Sequence, residues 1–174
     1  MKRFLISAAA VAAMATALAA CGGSGNDSAS GSSSSGGTAT VSSKDIGSLG
    51  AVLVDRSGKP LYASNQETAK GMALCTTAAC TAFWKPLTVT GTSPTGNSVS
   101  GKLGVQKRPD GMRQVSLDGK LLYSFSQDTR GNATGDGFQD SFGGQAFTWH
   151  VVHADGTVGS GTSGTGNSGS GYGY

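Results

Sequence analysis

The side chains able to do chemistry in this sequence fall into four small sets. The first is a tyrosine followed five residues later by an acid: Tyr62 with Glu67, and again Tyr123 with Asp128, the second time with Phe125 between them. A phenol and a carboxylate so placed can recognise a sugar or peptide through hydrogen bonds. They can equally serve the fold, with the rings in the core, the hydroxyl at its edge and the carboxylate accepting backbone N–H groups of a turn. Recurrence inside a repeated unit favours the second use. The second set is Cys75 and Cys80 in "CTTAAC". A close pair in an exported chain reads as one structural disulfide, and closing so short a loop contributes roughly 2 kcal/mol in the chain-entropy model. A thiol-redox couple is the alternative, although no C-x-x-C spelling supports it.

The third set is the loop "DTRGNATGDG", in which Asp128, Asn132 and Asp136 offer oxygens at a spacing loosely like that of a calcium loop. Arg130 interrupts that pattern and Gln139 stands where a bidentate glutamate is wanted, so a connecting loop is the favoured reading and these residues are weak metal candidates only. The fourth set is His150 and His153, which strand alternation sends to opposite faces as ordinary, partly exposed imidazoles. These residues give no triad with positional support, and no cofactor motif appears.

The elements that must position these residues are strands. "AVLVD" (51–55), "KPLYAS" (59–64), "KLGVQK" (102–107), "QVSL" (114–117), "KLLYSF" (120–125) and "FTWHVV" (147–152) are short apolar or alternating runs separated by Gly-bearing turns. Asp118-Gly119 reads as a two-residue hairpin turn, and Leu121, Tyr123 and Phe125 share a face. Pro60 suggests an edge position for its strand. Only residues 77–84, stopped by Pro86, read as helix. The segments "GKPLYASNQET" and "GKLLYSFSQDT" align without a gap, sixty-one positions apart from Gly58 to Gly119. The expectation is therefore a mainly β, antiparallel domain over residues 44–158, built from two pseudo-repeated hairpin units that cover each other.

The flanks differ in composition. Lys2 and Arg3 precede an apolar run from Phe4 to Leu18, too short to span a bilayer, which reads as an export signal over residues 1–20. "LAAC" then resembles a bacterial lipobox, and that resemblance implies lipidation of Cys21. Residues 21–43 form a Ser/Gly linker expected to reach roughly 25 Å as a flexible coil, and residues 159–174 form a Gly-rich tail expected to be disordered. Within 44–158, eleven Lys/Arg oppose nine Asp/Glu, which leaves no basic footprint for nucleic acid. Lys107, Arg108 and Arg113 are the one basic cluster, read as a solvated hairpin.

"YSFSQD" (123–128) resembles the Y-x-[FWY]-x-x-D motif of a bacterial family of lipoproteins known as secreted repeats of unknown function. The surrounding "LGAVLVDRSGKPLY", the cysteine pair before Trp84, Pro86 and Leu87, and "GGQAFTWHVV" fit the same pattern. The first copy departs from it, with Ser64 where the second has Phe125. The resemblance implies an exported, lipid-anchored protein with no established reaction. The expected function is a non-enzymatic binding or structural module of the cell envelope. It would be held to the membrane by lipid at Cys21, at the outer membrane where there are two, facing an envelope protein or glycan. The alternatives are a thiol-redox protein using Cys75 and Cys80 or a metal-binding, electron-transfer accessory.

Overall fold

The computed structural model describes residues 40–159. The stretch read as an export signal, Cys21 with its expected lipidation, most of the stretch read as linker and the tail from residue 160 lie outside the described residues. Eleven strands carry the fold: β1 (Val41–Asp45), β2 (Ala51–Asp55), β3 (Leu61–Ser64), β4 (Trp84–Pro86), β5 (Gly96–Asn97), β6 (Leu103–Lys107), β7 (Arg113–Leu117), β8 (Lys120–Leu121), β9 (Tyr123–Phe125), β10 (Phe138–Phe142) and β11 (Gln145–Val151). Two short helices, α1 (Asn65–Lys70) and α2 (Ala78–Phe83), lie between β3 and β4. A five-stranded antiparallel sheet of order β10-β11-β3-β9-β4 is flanked by two three-stranded sheets, β2-β1-β5 and β6-β7-β8. The mainly β class and the antiparallel pairing are as expected from the turns; β1 with β5 is a parallel exception.

The two sequence copies meet at the middle of the central sheet. β3 pairs antiparallel with β9, and Tyr62 stands directly opposite Tyr123. Bonds on either side repeat around that point. Leu87 N–H donates to the Leu122 carbonyl, as Val152 N–H does to Leu61, both at 2.9 Å; Val115 N–H donates to Leu87, as Leu53 N–H does to Val152, both at 2.8 Å. Each unit is thus a hairpin, a Leu-Tyr strand and a returning strand that crosses to pair with the other unit's Leu-Tyr strand. Neither copy can bury its apolar face without the other.

Alternation along the strands divides the interior in two. One face of the central sheet carries Tyr62, Tyr123, Phe125, Trp84, Trp149 and Phe147, packed with the cysteine pair. Leu53, Leu61, Val115, Leu117, Leu122 and Val152 form an aliphatic cluster elsewhere. Asp118 and Gly119, with φ of 49° and 81°, make the tight turn expected of Asp-Gly between β7 and β8.

Several expectations need correction. β1 begins at Val41, inside the stretch read as linker; Val41 is fully buried in the aliphatic cluster, so the folded part reaches back at least to Thr40. Pro60 does not indicate an edge, because it precedes β3 and β3 is interior to its sheet. A second helix, α1, occupies what reads as a polar loop: the Ser64 side chain accepts from Glu67 N–H, and Gly71 closes the helix at φ 66°. Arg108 is not part of a solvated hairpin but is 2% exposed, and His150 is buried rather than partly exposed.

Candidate functional site

The tyrosine–acid pairs of the sequence are joined across the repeats, not within them. Tyr62 OH donates to Asp128 Oδ2, and Tyr123 OH donates to Glu67 Oε1 at 2.9 Å. The five-residue spacing sets this up. It carries each acid past the end of its own strand, and the antiparallel register brings it over the tyrosine of the other copy. Each acid also organises a turn. Glu67 Oε1 accepts from the N–H groups of Leu74 and Cys75 at 2.7 and 2.8 Å, and Asp128 Oδ1 accepts from Thr134 N–H at 2.9 Å and its hydroxyl at 2.6 Å. Burial pushes both phenols well above the usual tyrosine range, and the acid beside each adds to the effect. Burial likewise raises the Glu67 carboxyl, against the opposing pull of the Cys75 and Leu74 N–H groups. Phe125 stacks on Trp84 with ring centroids 4.4 Å apart.

Arg108 completes the Tyr123 side. Its guanidinium donates to the Cys75 carbonyl and to Gln114 Oε1, both at 2.6 Å, and to Tyr123 OH at 3.0 Å. It also pairs with Asp110 at 3.0 Å. Spacing alone does not announce this role, since Arg108 sits in a run of basic residues at a turn. Cys75 and Cys80 form the expected disulfide, with Cα atoms 5.5 Å apart and both residues fully buried.

A further group was not read from the sequence. Asp140 accepts from both indoles, Trp84 Nε1 at 2.6 Å and Trp149 Nε1 at 3.0 Å. The two indoles are stacked, with centroids 4.1 Å apart and planes 12° apart. Burial raises the Asp140 carboxyl, and the indole N–H groups oppose the rise. The signal available was the alternation Phe138, Asp140, Phe142, which puts an acid on an aromatic face.

The weak metal candidates are not brought to one point. Asp128 faces Tyr62 and Thr134, Asn132 is exposed, and Asp136 Oδ1 accepts from Val151 N–H at 3.0 Å and lies 3.4 Å from His150 Nδ1. Among the described residues no three His, Cys, Asp or Glu side chains are grouped as metal ligands. No described helix is long and apolar enough to cross a membrane.

Residues 104–153 match the family model of a secreted repeat of unknown function. This is the family expected from the sequence, and the match takes in β7 to β11 with Tyr123, Phe125, Asp128 and Trp149. The matched span therefore falls in the second of the two interlocked units, and its tyrosine and acid are bonded to Glu67 and Tyr62 outside that span. No curated protein and no solved structure matches the chain.

Proposed function

We propose that this chain is a lipid-anchored bacterial envelope protein whose β domain is a non-enzymatic binding or structural module. The observation that carries this reading is the inward commitment of the motif. Tyr62, Tyr123, Glu67 and Asp128 are all buried, and each is hydrogen-bonded to another part of the fold. Groups held this way specify structure and have little left for substrate. The secreted-repeat match supports an extracellular or envelope address. The basic start, the short apolar run and "LAAC" support anchoring through Cys21, with the Ser/Gly linker as tether. An envelope protein or glycan is the partner class this address offers.

The anchor is tested by expressing the full chain in a bacterium fed an alkyne fatty acid. Labelled protein in the membrane fraction, with label and membrane association both lost in Cys21→Ala, supports the reading. Unlabelled protein released in the same amount by wild type and C21A sinks the anchor, and the domain would then be a freely secreted one.

A further inference from the structure

Four oxidisable rings stand in sequence at the centre of the aromatic core. Tyr62 meets Trp84 edge-on with centroids 5.4 Å apart, Trp84 stacks on Trp149 at 4.1 Å, and Trp149 meets Tyr123 edge-on at 5.0 Å. The group contains both tryptophans of the chain and two of its four tyrosines. Every polar hydrogen in it ends on a carboxylate: Tyr62 on Asp128, Tyr123 on Glu67, and both indoles on Asp140. Glu67 and Asp128 also hold turns, but ring packing asks for no hydroxyl beside them and for no acid at Asp140, whose hydrogen bonds come from the two indoles. Phenylalanine fills nearly the same volume as tyrosine, whereas a carboxylate taken from water is costly and must be compensated by hydrogen bonds. What a ring with a polar hydrogen gains from an adjacent carboxylate is a proton acceptor that is already in place.

We propose that Tyr62, Trp84, Trp149 and Tyr123 form a one-electron relay in which the stacked indoles are oxidised first and a carboxylate-bonded tyrosine holds the radical. The oxidant is an outer-sphere one-electron acceptor outside the domain. Phe138, 40% exposed and edge-on to Trp84 with centroids 6.1 Å apart, brings the indole pair within one side chain of the surface. The acceptor takes one electron from the indole pair and is reduced by one electron. Tyr123 then returns an electron to the indoles while its O–H proton passes along the existing bond to Glu67. The products are restored indoles, a neutral tyrosyl radical, a neutral carboxylic acid and the reduced acceptor. That proton arrives on Glu67 Oε1, the oxygen Tyr123 already bonds, while Oε2 is buried with no hydrogen-bond partner among the described residues. Tyr62 with Asp128 is the equivalent exit in the other repeat.

The test uses the full chain carrying Y172F and Y174F, so that Tyr62 and Tyr123 are its only tyrosines. Photogenerated ruthenium(III) tris-bipyridine, with a cobalt(III) ammine as sacrificial acceptor, is the oxidant. Radicals are followed by transient absorption and electron paramagnetic resonance. The expected result is an indole radical that decays as a tyrosyl radical rises, with the rise slowed in heavy water. In E67Q/D128N the indole radical persists and the tyrosyl signal is lost. Should that variant fail to fold, global incorporation of fluorotyrosine keeps the packing and the acids, and the tyrosyl spectrum must then show coupling to fluorine. A tyrosyl rise that W84F leaves unchanged, or one with no solvent isotope effect, overturns the relay. So does a folded protein that gives no tyrosyl radical at all.

Discussion

Tyr62 lies directly across from Tyr123 in the central strand pair, and each phenol is bonded to the acid of the opposite repeat. The motif therefore works as two crossed clasps that hold one repeat to the other. Removing one hydroxyl leaves a buried carboxylate short of a partner, a change that costs about 1–3 kcal/mol. Y62F and Y123F should each lower the free energy of urea unfolding by that amount. The Y123F cost should be the larger, because the donor that loses its acceptor there is the charged Arg108 guanidinium at 3.0 Å, whereas Y62F deprives only the neutral Gly135 N–H at 3.3 Å. Since the clasps sit on adjacent residues, the double variant should depart from additivity by more than about 0.5 kcal/mol. Two small and strictly additive losses would mean that the hydroxyls merely fill space.

The duplication was legible because it is written twice in the same order, and alternation placed Tyr123 and Phe125 correctly on one face. The crossing of the clasps was not. Spacing within one copy shows that an acid follows its tyrosine, but only strand register shows whose tyrosine it meets. Ser64 to Glu67 spells a helix start, yet the polar sequence that follows reads as loop without the burial of Glu67. Arg108 reads as solvated and Asp140 does not stand out for one reason: a charged residue is judged exposed until its partners are known, and the deciding ones, Cys75 and Tyr123 for Arg108 and Trp84 for Asp140, lie far along the chain.

Glu67 and Asp140 give stability a particular slope with pH. Burial is the first cause in each case, and it raises their folded-state carboxyls from ordinary values of 4.5 and 3.8, against the N–H groups that each accepts. The folded state therefore prefers these acids protonated. Their contribution is complete below the ordinary values and is lost as pH rises through the raised ones. Urea midpoints measured from about pH 3 to about pH 7 should fall less steeply with rising pH in E67Q than in wild type. Other carboxylates titrate in the same range, so the difference between the two curves is the readout. A wild-type minus E67Q difference that is flat, or that rises with pH, would show that Glu67 ionises in the folded protein at least as easily as in the unfolded one.

The buried disulfide bears on the choice between a staple and a redox centre. Both cysteines are fully buried, and the Cys75 peptide is held at each end, its N–H by Glu67 and its carbonyl by Arg108. A thiolate therefore reaches the bond only when the segment opens. Reduction by glutathione should be slow in native buffer and should accelerate with urea in step with unfolding. C75S/C80S should lose roughly 2 kcal/mol of stability. Rapid reduction of the native protein, with little loss of stability, would favour the thiol-redox reading over the structural one.

Gly135 is the point at which the loop between β9 and β10 closes on the aromatic core. Its N–H donates to Tyr62 OH at 3.3 Å, and a Cβ built there would lie 2.8 Å from Trp84 Cη2 and 3.2 Å from the Tyr62 ring. The first distance is shorter than carbon atoms tolerate, and the obstacle is a stacked indole with no free direction in which to move. Gly135→Ala should therefore cost about 1–3 kcal/mol by overpacking and should change the near-ultraviolet circular dichroism of the tryptophan pair. Gly137 is the control. It has a φ of 73° but open space at its Cβ position, so G137A strains only the backbone and should leave the indole signal unaltered. If G135A and G137A lose equal stability with the same spectrum, the loop does not bear on the rings, and Gly135 is present only for its turn.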